Sequence, residues 1–361
     1  MSAAVTMPDL RLLVVRLGAM GDILHALPAV TALRHTHPDW VIDWVVEPRW
    51  RALLDAEGNT GRGKARSPAR PLVDHLHLAA TRQWRKAPFS RQTIHEFKAL
   101  RSALRAGDYD AVIDLQGAIR SALIARLAGC SRLIGEANPR ELPARWLFSE
   151  RIATYGVHVI EQDVELASAI AGDALTPVEP WLPIDPAADA WADEIIPPIT
   201  NKTAVLITPG AGWGAKCWPV ERYAAVAQSL AVLGCRVLIN IGPGEELLAE
   251  IIANQTGSAS TPLACTLPQL IALTRRVALV IAGDTGPLHL ACALGRPVVG
   301  IYGPTDPSRN GPFGSRFIVL RSPESRRDHT RRAAPEAGLL TIQPADVLRA
   351  VDALLYPEAA S

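Results

Sequence analysis

Nowhere in this chain do about 18 apolar residues run together, so no membrane-spanning helix is expected. A secretory leader is not expected either. The first apolar stretch, Leu12–Val15, has the length of a strand and follows the charged Asp9 and Arg11. Cysteine is sparse: Cys130, Cys217, Cys235, Cys265 and Cys292 are scattered, odd in number and form no CxxC pair. That spacing argues against a zinc site or a disulfide framework and suits reduced thiols in a cytoplasmic protein. No charge of one sign dominates. The net charge is +1, so bulk charge supplies no reason to expect a nucleic-acid partner. There is no Walker A loop and no array of 20–50-residue repeats.

What is present is apolar material for two cores. Hydrophobic residues make up 48% of 361 residues and charged residues 20%, enough for two domains that each bury their own interior. Tryptophan is plentiful, with nine residues, several beside arginine. The charge is also uneven: between Arg62 and Arg105 eleven basic residues face only two acids, Asp74 and Glu96. A local basic face of this kind attracts an anionic partner even on a nearly neutral chain.

Apolar strands, glycine turns and helices alternate in two series. The first contains strands at Leu12–Val15, Val41–Val46 and Ala111–Leu115, with Leu133-Ile134 as one more. The second contains Ala204–Thr208, Arg236–Ile241, Val277–Ala282 and Val298–Tyr302, and closes on an amphipathic helix at Ala345–Leu355. This rhythm predicts α/β architecture: two doubly wound, Rossmann-like parallel sheets facing a cleft. Prolines crowd the segment Ala174–Pro198, which reads as free of regular elements, with the linker in its first half. The boundary is placed between residues 178 and 179, giving domains 1–178 and 179–361. Ligands of such sheets sit at the carboxyl ends of the strands.

Three strand-end loops in the second half suit a nucleotide diphosphate. Gly283-Asp284-Thr285-Gly286-Pro287-Leu288-His289 joins a strand to a helix. Asp284 or Thr285 would cap that helix, Pro287 suits its first turn, and Gly286 lets a phosphate approach the free amides. His289 sits one turn deeper and faces either the ligand or the sheet. The loop from Thr208 through Gly210 to Lys216 offers backbone donors and one point charge to a departing diphosphate, unless Lys216 is only a surface residue. In Gly242-Pro243-Gly244-Glu245-Glu246 a carboxylate either accepts from ribose hydroxyls or merely favours a helix start.

In the first half, Asp22 follows Gly18-Ala19-Met20-Gly21 at a strand end. It reads either as a helix cap or as the general base that takes a proton from an acceptor hydroxyl. His25, one turn on, is a weaker candidate for that base. His35 and His37 read as surface residues. Asp108-Tyr109-Asp110 spells a DxD, but it precedes a strand, at the end opposite the ligand side.

Together these motifs resemble glycosyltransferase family 9, the heptosyltransferases of lipopolysaccharide core assembly. The resemblance runs from about Leu10 to Gly314. It is carried by Met20-Gly21-Asp22-Ile23-Leu24-His25-Ala26-Leu27-Pro28, Asp43-Trp44-Val45-Val46-Glu47 and Trp84-Arg85-Lys86-Ala87-Pro88-Phe89-Ser90. Further matches are Ala111-Val112-Ile113-Asp114-Leu115-Gln116-Gly117, Lys216-Cys217-Trp218-Pro219, Asp284-Thr285-Gly286 with His289, and Tyr302-Gly303-Pro304-Thr305-Asp306-Pro307. The heptosyltransferase that adds the first heptose to Kdo–lipid A is the nearest subtype.

The resemblance implies a GT-B fold, an ADP-heptose donor, inversion at the anomeric carbon, no metal and no cofactor. It implies Asp22 as catalytic base and Lys216 as a second catalytic group. Lys216, Asp284, Thr285, Gly286 and His289 match donor-binding positions, and Glu246, or Glu245 if the alignment shifts, matches the ribose-binding acid. Thr208 and Gly210 belong to the donor loop, which departs from the family by being richer in glycine.

Trp84, Arg85, Lys86 and Arg120 fit the acceptor side, because Kdo carboxylates and lipid A phosphates call for a basic flank. Residues 1–178 then hold the acceptor and 179–361 the nucleotide sugar, with peripheral contact at the inner membrane surface. The basic, Gly/Pro-rich stretch Asn59–Pro71 is peculiar to this chain. Competing readings are another family 9 enzyme with a different sugar or acceptor, a nucleotide-sugar epimerase on a GT-B-like fold, and a non-enzymatic nucleotide-binding protein.

Overall fold

A computed structural model describes residues 10–56, 66–198, 202–327 and 332–357. Residues 59–65 of the basic stretch lie outside them. The chain divides into two compact units, Met1–Ile184 and Asp185–Ser361.

The first unit runs β1 (Arg11–Val15), α1 (Met20–Thr36), β2 (Val41–Val46), β3 (His75–Leu78), α2 (Thr81–Lys86) and α3 (Arg91–Ala106). It continues with β4 (Ala111–Asp114), α4 (Ile119–Leu127), β5 (Leu133–Glu136), β6 (Glu150–Ile152) and α5 (Val159–Ala171). Its six strands pair in the order β3-β2-β1-β4-β5-β6, all parallel. This is the strand order of the Rossmann fold, with its reversal point between β1 and β4. Leu13, Val15, Leu104, Val112 and Leu133 share one core cluster of this unit. The α3 helix starts on Ser90, whose side chain accepts from the Thr93 amide at 3.1 Å. The α5 helix stops at Gly172, whose φ of 76° suits a residue without Cβ.

The second unit repeats the plan. It contains α6 (Pro186–Ile195), β7 (Ala204–Thr208), α7 (Val220–Val232), β8 (Arg236–Asn240), α8 (Glu246–Thr256) and β9 (Ser260–Leu263). Then come α9 (Leu267–Arg276), β10 (Leu279–Gly283), α10 (Gly286–Ala293), β11 (Val298–Tyr302), α11 (Pro307–Asn310), β12 (Phe317–Arg321) and α12 (Pro344–Leu355). The parallel order is β12-β11-β10-β7-β8-β9, the same topology in its own numbering, reversing between β7 and β10. Val205, Ile207, Val226, Leu279 and Val351 meet in its core.

One expectation is corrected here. The proline-crowded segment Ala174–Pro198 contains a regular helix, α6. Asp185 caps it by accepting from the Ala187 and Ala188 amides at 2.9 and 3.1 Å, and Pro186 occupies its first turn. Proline is harmless there, because the amide it lacks has no partner in a first turn anyway.

Candidate active site

The second unit builds a charged cluster at its reversal point. β7 leads into the loop that carries Lys216, and β10 leads into the loop that carries Asp284. The side chains of these two residues form an ion pair, and both are about nine-tenths buried, at 11% and 10% exposure. Lys216 Nζ also lies 3.4 Å from the Asp284 carbonyl oxygen and 4.3 Å above the Trp213 ring. His289 Nε2 lies 3.4 Å from the second Asp284 oxygen. Burial alone would raise the Asp284 carboxyl. The His289 hydrogen bond and the Lys216 charge outweigh it and hold the group well below the usual carboxylate range.

The cap of α10 differs from the expectation. Thr285 occupies the N-cap position in extended backbone but makes no side-chain cap, its hydroxyl donating instead to Gly283 O at 3.3 Å. Asp284 is spent on Lys216 and His289. The amides of the first turn, opened by Gly286 and Pro287, have no side-chain cap and point out of the carboxyl end of the sheet. Thr208 ends β7 with a buried hydroxyl that has no hydrogen-bond partner among the described residues; the Thr305 hydroxyl is in the same condition.

In the Lys216 loop Gly214 is needed for space against backbone, and Gly210 leaves room for the end of the Glu245 side chain. A Cβ on Gly210 would lie 1.8 Å from the Glu245 carboxylate, and one on Gly214 would lie 1.7 Å from Ala333 O. Glu245 therefore folds back toward the loop, and its Oε2 accepts from the Gly242 amide at 2.8 Å. Glu246 starts α8 and is exposed, accepting from the Gly244 amide at 3.2 Å. It borders a cavity of about 460 Å³ beyond the ends of β8 and β9, lined also by Pro243, Ala249, Pro262, Ala264 and Cys265. So the paired glutamates separate: Glu245 faces the loop of Gly210, and Glu246 faces the cavity.

In the first unit, Asp22 stands at the matching place, after β1 and beside β4. Ala19 is the N-cap of α1, and Asp22, three residues in, accepts from the Ala19 amide at 2.9 Å. Arg16, which is buried, reaches the Asp22 carboxylate at 3.7 Å and donates Nε to the Asp22 carbonyl at 3.1 Å. The Asp22 side chain keeps 28% exposure, so the carboxylate is both anchored and open. Gln116, at the end of β4, accepts from the Leu17 amide at 2.8 Å and ties the two loops of the reversal point together. His25 is buried edge-on to His158, 5.5 Å between centroids, and is not at the surface of this loop.

Arg85 and Lys86 end α2 and Arg120 begins α4; all three are exposed. Trp84 is tied down instead, its indole N–H donating to Glu96 Oε2 at 2.7 Å. In the DxD segment two residues, Tyr109 and Asp110, are tied into the fold. Tyr109 is buried, donating to Asp43 Oδ2 at 2.6 Å and lying 2.8 Å from His77 Nε2, while Asp110 accepts from the Arg11 amide at 2.8 Å. Sequence reasoning missed Arg16, Gln116 and the fold-back of Glu245: Gln116 acts across 99 residues, while the contacts of Arg16 and Glu245 are short-range but depend on how their loops turn.

The chain is similar in sequence and fold to known glycosyltransferases. The model of glycosyltransferase family 9 (heptosyltransferase) matches residues 97–339. Lipopolysaccharide heptosyltransferase 1 of Escherichia coli (strain K12) is 33% identical over 326 residues, covering 87% of this chain and 94% of that protein. The structure of E. coli heptosyltransferase WaaC with ADP superposes with a TM-score of 0.78 at 29% identity, covering 96% of this chain and all of that one. The same enzyme with ADP-2-deoxy-2-fluoro heptose gives 0.75 at 29% identity, covering 95% and 99%.

Proposed function

The chain belongs to glycosyltransferase family 9, and from that premise we propose that it transfers a heptose from ADP-heptose to the inner core of lipopolysaccharide, with Kdo–lipid A as acceptor. The observation that carries the donor half is the Lys216–Asp284–His289 cluster beside the open first turn of α10, at the reversal point of its sheet. Helix amides and one ammonium are what a diphosphate needs. Asp284 and His289 hold Lys216 in place. Gly286 and Thr285 present the amides, and Thr208 and Gly210 border the phosphates. The cavity beside Glu246 takes the nucleoside, with Glu246 accepting from the ribose.

On the acceptor side, Asp22 takes the proton of the attacking hydroxyl as that oxygen bonds to the anomeric carbon. The bond from that carbon to the diphosphate breaks on the opposite face, so the configuration inverts. Negative charge then grows on the leaving phosphate oxygen, where Lys216 and the α10 amides meet it. These groups supply the positive charge that a metal ion supplies elsewhere, so we propose that transfer is metal-independent. Arg85, Lys86 and Arg120, with Trp84 bracing α2, receive the acidic acceptor. Among the described residues no helix is long and apolar enough to cross a membrane, and we propose that the enzyme meets its lipid-borne acceptor peripherally.

A donor panel read by nucleotide release, with and without a Kdo-bearing acceptor, tests the reading. ADP release is expected only when ADP-heptose and the Kdo acceptor are both present. Turnover of another nucleotide sugar would point to a different family 9 activity. Conversion of a nucleotide sugar without any acceptor would point to an epimerase.

A further inference from the structure

The outer face of the first unit carries exposed apolar side chains around Trp84 and Leu127, which are themselves partly packed on the core. Phe89, at the turn between α2 and α3, is 92% exposed, and on α3 Ile94 and Phe97 remain 43% and 40% exposed. Along α4, Ile119, Leu123 and Leu127 recur every four residues and so form one stripe, with Leu123 at 52% exposure. A groove of about 470 Å³ joins the two, lined by Trp84, Pro88, Ile94, Phe97 and Leu127 with Lys98 and Arg101 on its rim. This size is enough for a flexible chain to enter. Patches of this kind on a monomer mark a binding surface.

The charge around the groove identifies the partner. Arg82, Arg85, Lys86, Arg91, Arg101, Arg120 and Arg126 are all exposed on these helices, and between Arg82 and Gly107 the only acid is Glu96. Glu96 is already engaged by Trp84 and Gln92. Apolar side chains inside a basic border match an interface of alkyl chains under phosphates. The surface also opens from the correct edge: α2 follows β3 and α4 follows β4 at the carboxyl end of the sheet, where β1 delivers the Asp22 loop.

We propose that this face seats on an anionic bilayer, with Phe89 inserted, a lipid acyl chain in the groove and the arginine–lysine border on lipid phosphates. It deepens the reading above and rests on it only for the purpose of the contact, which is to bring Asp22 to a headgroup that stays in the membrane.

The test uses the full chain and flotation with vesicles of phosphatidylcholine, with or without phosphatidylglycerol. The wild-type chain should bind the anionic vesicles, and each basic contact should strengthen binding roughly fivefold. Added salt should weaken binding without abolishing it. The double variant Phe89→Ser, Ile94→Gln replaces exposed side chains and leaves the Phe97–Trp84 ring contact intact, so its melting temperature should match the wild type while vesicle binding falls tenfold or more. Tryptophan fluorescence should be quenched by lipids brominated on their acyl chains in the wild type and not in the variant. With an acyl-free Kdo acceptor both proteins should turn over equally; with an acylated acceptor in vesicles the variant's KM should rise. Equal vesicle binding by the two proteins would overturn the proposal. So would a dimer that the same substitutions dissolve, which would assign the face to a second copy. Failure of heptose transfer to either acceptor would count against the functional reading alone, since flotation needs no turnover.

Discussion

At the scale of single residues, the proposed mechanism divides the chemistry between two side chains. Asp22 is anchored by the Ala19 amide and Arg16 yet keeps an open edge, the arrangement a general base requires. Asp22→Asn should preserve those contacts and cut turnover by about 10²–10⁴-fold while leaving the Kd for ADP within about twofold. Turnover close to wild type would remove Asp22 from the mechanism. Lys216→Ala should raise the Kd for ADP and lower kcat further, because the charge it meets grows as the diphosphate departs. It would also strand the Asp284 carboxylate, so Lys216→Arg is the companion variant. If the arginine recovers ADP binding and not kcat, the ammonium's position matters to the transition state. Unchanged kcat and Kd in the alanine variant would make Lys216 a structural partner of Asp284 only.

Elements decide where these residues stand. In α5, Asp163 is buried against the Arg16–Asp22 pair, and one of its oxygens has no partner among the described residues. Burial pushes its carboxyl up to about 7, with Arg16 opposing and Asp22, Glu136 and Asp114 adding to the rise. An acid raised in the folded state binds more protons folded than unfolded between its ordinary value of 3.8 and about 7. Stability therefore falls as pH climbs through that window, by up to about 1.4 kcal/mol per pH step. Asp163→Asn should then melt higher than wild type at pH 8 and converge with it near pH 4. A variant that is less stable at pH 8 would show that the carboxylate is compensated. In α2, Arg85 and Lys86 are exposed, so their worth is modest and salt-sensitive. Replacing both with alanine should raise the acceptor KM roughly tenfold at low salt, less at high salt, with nucleotide affinity unchanged. A constant KM at low salt would leave them as a solvated face.

At the scale of the molecule, one topology is used twice, and we propose that each copy offers its reversal point to a different partner. In the proposed mechanism the second unit brings cationic donors to a diphosphate, while the first brings a carboxylate to an alcohol. With the neutralising charge supplied by Lys216 and helix amides as proposed, activity should survive EDTA, measured as ADP release with both substrates present. Complete loss, restored by Mg²⁺ or Mn²⁺, would overturn that division of labour. Saturating ADP at a hundred times its Kd should stabilise the chain by about 2.7 kcal/mol, seen as a higher melting temperature that is equally present in Asp22→Asn.

The central strands were legible in the sequence because both of their faces are covered, which demands a continuous apolar run: Val41–Val46, Ala204–Thr208 and Val298–Tyr302 begin and end where expected. The strand-end loops of Asp22, Lys216 and Asp284 followed from the same logic. β3, β6, β9 and β12 did not, and all four are sheet edges. An edge strand is paired on one side only, so it tolerates the half-buried His75, the charged Glu150-Arg151, and Pro262. Local chemistry likewise misread the proline-rich segment, where a capped α6 forms. The remainder belongs to tertiary structure. Whether Asp284 caps α10 or grips Lys216, which of Glu245 and Glu246 turns inward, and that Arg16 anchors Asp22 are contests between near-equal local options. They are settled by Lys216, 68 residues from Asp284, by the space Gly210 leaves for Glu245, or, for Arg16 and Asp22, by the turn that joins β1 to α1, and a burial-dependent ion pair leaves no periodic mark along the chain.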